Sequence, residues 1–186
     1  LRALRSRGKY RFSIVFSVYR PLEEQLEPAL LADFYEFVAG NLVYLPLYDK
    51  QTTDFRVALI EKITKKKVPP KVLSEITELT GGIGRIIKLG VEAYLARGTQ
   101  EKNLSAFLLT QKAVRAALLE IWFALSPAEQ SDLRQGTFDD KAVALYLEQM
   151  GIIKAQKIQI PLLAQLIQEE IGRPQTNNTA IVYDDH

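Results

Sequence analysis

This sequence predicts a mostly α fold with minor β, and three observations carry that reading. From about residue 54 onward, apolar residues recur at three- and four-residue spacing through most of the chain, the period of helices that bury one face. These stretches are separated by residues that start and stop helices: Pro69-Pro70, Gly81-Gly82, Ser126-Pro127-Ala128-Glu129 and Gly151. Runs with strand character are few and short, lying before residue 50 and between 152 and 160.

Composition removes several classes of function. A chain of 186 residues is long enough for a real core, as one domain or two small ones. The net charge of +2 makes no global case for nucleic acid or membrane, although Arg2, Arg5, Arg7, Lys9 and Arg11 form one basic cluster and Lys65, Lys66, Lys67 and Lys71 another. Without cysteine there is neither a disulfide framework nor thiolate chemistry, which fits a cytoplasmic protein. The one histidine is His186, so a histidine-based metal site or catalytic dyad is not expected. No signal peptide or bilayer-spanning run is present. The first residue is not methionine and the chain opens as if within a helix, so it is expected to be a piece of something larger.

The elements follow in order. Leu1–Arg7 has the character of a helix end, and Tyr10–Tyr19 is a nearly continuous apolar strand of the kind buried on both faces. Arg20-Pro21 stops it, Pro28–Ala39 is helical, and Leu42–Leu47 is a second short strand with Pro46 at its end or edge. Thr53 or Asp54 is expected to cap a helix over 55–64 that buries Phe55, Leu59, Ile60 and Ile63. Pro69-Pro70 opens a helix over 71–79. Gly81 and Gly82 turn the corner, and Ile83–Ala96 forms the next helix with Arg85 in its first turn. Residues 98–103 are a polar break. A long helix is expected over 108–125, burying Val114, Leu118, Ile121 and Trp122. Ser126 to Glu129 is a capping box for a second helix, and Asp139 or Asp140 starts a third. Residues 152–154 and 157–160 read as a hairpin, and a helix over 161–171 closes the run. Helix, helix, helix, hairpin is the order of a winged helix.

Taken together, these residues resemble the C-terminal part of an AAA+ or STAND-class P-loop ATPase. The apolar strand ending Tyr19-Arg20-Pro21, the run Tyr44-Leu45-Pro46-Leu47 and the acid-led helix at Asp54 are similar in order to the last core strands and the helical lid of that class. Leu79-Thr80-Gly81-Gly82-Ile83-Gly84-Arg85 resembles its sensor-2 region, with Gly84 where proline is commonest. The resemblance divides the chain into an incomplete α/β NTPase core (1–50), a helical lid (51–98), a winged helix (104–172) and a linker (173–186).

The resemblance implies ATP or ADP with Mg²⁺ as ligand of the intact protein, and none for this fragment alone. No G-x-x-x-x-G-K-S/T occurs, and no apolar strand ends in an acid that could hold Mg²⁺. It carries over Arg85 as a γ-phosphate contact from the lid, with Gly82 and Gly84 shaping that corner. It places Arg20 at a sensor-1-like strand end and Pro46 beside the adenine. The implied partners are the protein's own N-terminal P-loop core and a further C-terminal domain or protein. Membrane is not expected. DNA is disfavoured, because Asp139, Asp140 and Glu148 make the third helix acidic and the hairpin adds only Lys154 and Lys157. The expected function is the regulatory lid and winged helix of a nucleotide-dependent switch; the alternative is a winged-helix DNA-binding regulator with an unrelated N-terminal domain. No nucleophile–base pair is legible, so no catalytic residue is expected.

Overall fold

The fold comes from a computed structural model, which describes residues 45–97 and 103–171 together with isolated positions between 18 and 43. The chain divides into two compact units, Leu1–Val43 and Tyr44–His186, and the described core belongs to the second. The expected strand over 10–19, the helix over 28–39 as a whole and the linker over 173–186 lie outside the described residues.

Helix α1 (Lys50–Thr64) starts earlier than expected. Asp49 caps it by accepting from the Thr52 N–H at 2.7 Å, which frees Asp54 to pair with Lys50 and leaves Thr53 buried. Two apolar stripes compete on this helix, and most of the stripe expected in the core lies outside it. Thr53, Val57 and Ile60 face the core, whereas Phe55, Leu59 and Ile63 lie on the exposed side. Packing against α3 decides the outcome. Lys65 ends the helix in the left-handed region, φ 55°.

Pro70 occupies the first position of α2 (Pro70–Leu79), where its missing N–H costs nothing. This helix closes in a Schellman motif. The Gly81 N–H donates to Glu78 O at 3.1 Å and the Gly82 N–H to Thr77 O at 3.2 Å, with φ 61° and 79° at the two glycines. Helix α3 (Gly84–Arg97) follows and buries Ile86, Ile87, Val91 and Leu95 against α1, α2 and α5. Each such side chain contributes about 1.5–3 kcal/mol by leaving water.

The single long helix expected over 108–125 is two helices, α4 (Leu104–Thr110) and α5 (Lys112–Ala124). Side chains break it. Thr110 Oγ1 donates to Phe107 O at 2.7 Å, and Gln111 Nε2 donates to the same carbonyl at 3.2 Å. Gln111 itself is extended, so local side-chain bonds replace the helical ladder. Val114, Leu118 and Trp122 are buried as expected, and Ile121 is partly buried against them. The capping box forms at α6 (Pro127–Gln135): Ser126 N–H donates to Glu129 Oε2 at 2.6 Å, and Glu129 N–H to Ser126 Oγ at 3.3 Å. Asp140 caps α7 (Lys141–Gln149), which ends in a second Schellman motif at Gly151.

The hairpin joins β1 (Ile153–Lys154) and β2 (Lys157–Ile158) antiparallel, pairing Ile153 with Ile158 and Lys154 with Lys157. Ala155 and Gln156 both take positive φ, 48° and 59°, as a type I′ turn requires. Helix α8 (Pro161–Leu166) runs on into one π turn over Ile167–Ile171. The expected strand over 42–47 is not seen at Leu45–Leu47, which is irregular. Pro46 withholds an N–H, and the residues after it bind elsewhere.

Mostly α with a minor two-stranded β element is therefore the fold of the described unit. One continuous core runs from Val57 to Ile167, with α2 touching both α4 and α8. Helices on either side of residues 98–103 thus share a single body rather than holding separate cores.

The segment after α1 is stitched by Glu61, which accepts from Lys67 Nζ at 2.6 Å and from the Val68 N–H at 2.8 Å. These bonds, the lysine's first, hold its carboxyl below the ordinary 4.5. A depressed folded-state value means the stabilisation is complete above 4.5 and is lost as pH falls through the folded value. Thermal melts from pH 7 to 2.5 should show Glu61→Gln less stable at neutral pH, with a shallower acid decline. Parallel curves for the two proteins would contradict this role.

Candidate functional site

The expected site centres on the corner between α2 and α3, and its glycines have an identifiable physical purpose. The Tyr48 N–H donates to Gly82 O at 2.9 Å, which docks the incoming chain on the corner. A Cβ at Gly84 would lie 2.3 Å from Tyr48 Cζ, so the absent side chain is where the tyrosine ring sits. A Cβ at Gly82 would meet Leu47 Cβ at 3.5 Å, and one at Gly81 would meet Gln159 O at 2.7 Å. Leu47 also fills the space beside Gly151, where a Cβ would come within 2.8 Å. Gly81, Gly84 and Gly151 admit neighbouring residues of this chain closer than a Cβ would allow, and Gly82 serves the left-handed turn, so the corner is filled by protein rather than left as an open amide cradle.

Arg85 projects from the first turn of α3 and is largely exposed. Its Nη1 donates to Glu120 Oε2 on α5 at 2.6 Å, forming an ion pair across the 98–103 break. With its arginine 61% and its glutamate 40% exposed, such a pair contributes at most about 1 kcal/mol. The guanidinium carries five N–H donors, more than one carboxylate oxygen uses.

Pro46 lies with Leu45 and Leu47 along an open cleft of about 440 Å³, opposite Glu148, Gln149, Gly151, Ile153, Lys154 and Gln159. The structure thus gathers Pro46, Gly82 and Gly84 around the Leu47-Tyr48 segment. The Arg85 side chain leaves from the same corner toward α5. Arg20 lies outside the described residues.

Sequence reasoning missed two parts of this arrangement. Glu120 gave no signal, because its contact with Arg85 spans 35 residues. Tyr48 carried one only in retrospect, as an aromatic residue beside a chain segment facing a glycine-rich corner. The Lys65–Lys71 cluster is partly structural: Lys66 Nζ caps α3 by donating to Leu95 O at 2.7 Å, and Lys67 holds Glu61. Asp140 is occupied as a helix cap. Among the described residues, no group of three or more His, Asp or Glu side chains is placed to hold a metal ion. No described helix is long and apolar enough to cross a membrane. No protein-family model, curated protein or solved structure matches the chain.

The geometry separates packing from chemistry at adjacent positions. Gly84→Ala must displace the Tyr48 ring and should lower stability by about 1–3 kcal/mol. Arg85→Ala should lower it by less than about 1 kcal/mol. Urea unfolding of the two variants checks the order; a larger loss at Arg85 would contradict it.

Proposed function

We propose that this chain is the regulatory portion of a nucleotide-dependent switch ATPase, a lid with a winged helix behind it, and that Arg85 is its contact with the nucleotide. The observation that carries this reading is the position of Arg85: exposed, in the first turn of a helix that leaves a filled, hydrogen-bonded glycine corner. The element order from α1 to α8 and its resemblance to a lid followed by a winged helix give secondary support.

The residues present fit ATP or ADP with Mg²⁺ only in part. Arg85 offers a bidentate donor to a terminal phosphate. Gly82 and Gly84 serve packing, and Pro46 contributes an apolar wall at most. Phosphate cradle and metal ligands belong to the protein's own P-loop core, so this chain alone neither hydrolyses ATP nor binds it tightly. Arg85 would exchange Glu120 for a terminal phosphate, and the whole α1–α8 body would move with it toward that core, since the shared core of this body opposes internal rearrangement. A further C-terminal domain or protein reads the change, in a cytoplasmic setting.

One observation favours the DNA-binding alternative: Lys154 and Lys157 sit directly opposite each other at the hairpin tip. The acidic α7 region opposes it. A gel shift that weakens steeply with salt would favour that alternative over the switch.

The test of the switch is Arg85→Ala in a protein that joins this chain to its P-loop core. Nucleotide should still bind, while closure or hydrolysis falls by about tenfold or more, as for other lost phosphate-contacting arginines. Unchanged kinetics and closure would remove the assignment.

A further inference from the structure

The outer face of α1 carries Phe55, Leu59 and Ile63, which are 74%, 42% and 72% exposed. Four-residue spacing makes them one ridge about 12 Å long, within an arc of about 80°. The opposite face, with Thr53, Val57 and Ile60, fastens the helix to the core, so the ridge cannot turn inward. Helical geometry sets Arg56 along one edge of this ridge and Lys62 along the other, with Lys65 just past the helix end. Both acids of the helix are engaged away from it: Asp54 with Lys50, and Glu61 with Lys67 and the Val68 N–H. Among the described residues of this helix, the result is an apolar ridge with two basic borders and no carboxylate on it.

These features discriminate among occupants. A second copy in a two-fold pairing would set Arg56 and Lys62 against their own kind, at a cost in repulsion. A bilayer would receive only three side chains, too little apolar area for stable anchoring. A helix with its own apolar groove and acidic borders satisfies both the ridge and its edges.

We propose that this face of α1 docks an amphipathic helix of another protein, whose apolar stripe is bordered by Asp and Glu. The three-residue ridge, at four-residue spacing, enters the corresponding groove of that helix, with the axes crossing at about −50°. This inference is independent of the nucleotide reading.

The test uses the full chain, isotope-labelled, with two synthetic helical peptides. Both carry leucine at positions i, i+3, i+4 and i+7; one is bordered by glutamate and the other by lysine. The glutamate peptide should saturably shift α1 resonances with a dissociation constant in the micromolar range, and the lysine peptide should not. Phe55→Ser with Ile63→Ser should weaken binding by about tenfold or more while leaving the thermal melt unchanged, because both side chains are exposed. Arg56→Glu with Lys62→Glu should reverse the peptide preference. Equal binding of both peptides, or binding of neither, overturns the proposal. So do self-association through α1, preference for phosphatidylserine vesicles, and protection of Phe55 and Ile63 from hydroxyl-radical footprinting in the chain alone.

Discussion

Close approach at glycine is the constraint on which this unit depends. Leu47 touches both Schellman corners, after α2 and after α7, at ordinary contact distance beside Gly82 and closer than a Cβ would allow at Gly151. Tyr48 lies on Gly84 and bonds to Gly82, while the end of the hairpin reaches Gly81 through Gln159 and Ile160. The α2–α3 corner, the Leu47-Tyr48 segment and the stretch from Gly151 to Ile160 therefore converge where glycines leave room. Because protein interiors are close-packed, an added methyl group at such a point moves backbone or ring rather than filling a void.

That convergence has a mechanical consequence. The corner is tied to α2, α3, the segment before α1 and the hairpin, and α3 packs on α5 with Arg85–Glu120 across their exposed side. Arg85 thus stands on a helix built into the shared core rather than on a separate loop. Under the switch reading, the mobile joint lies outside α1–α8. On that reading, α1–α8 would move as one lever.

Much of this fold was legible in the sequence, for reasons that differ by element. Pro69-Pro70, the Ser126–Glu129 capping box, the Asp140 cap and the glycine corner act over a few residues, so local chemistry was enough. The hairpin was legible although its Ala155-Gln156 turn lacks the usual glycine or asparagine, because apolar runs flank it. The α1 face was misread because two stripes satisfy the same periodicity, and only the position of α3 chooses between them. The break at Gln111 was missed because periodicity continues across it, while side-chain bonds to Phe107 O interrupt the backbone ladder. At the candidate site, Arg85 and its corner were visible, and the filling of that corner by Leu47 and Tyr48 was not. That filling depends on contacts across more than thirty residues.

The nucleotide switch is the central claim, and the coding sequence upstream of Leu1 in the source genome tests it most directly. The account predicts an open reading frame continuous with this chain. Within about two hundred residues it should carry a G-x-x-x-x-G-K-S/T loop after an apolar strand and a second apolar strand ending in an acid. A start codon close to Leu1, with no such loop in the same reading frame, would contradict it.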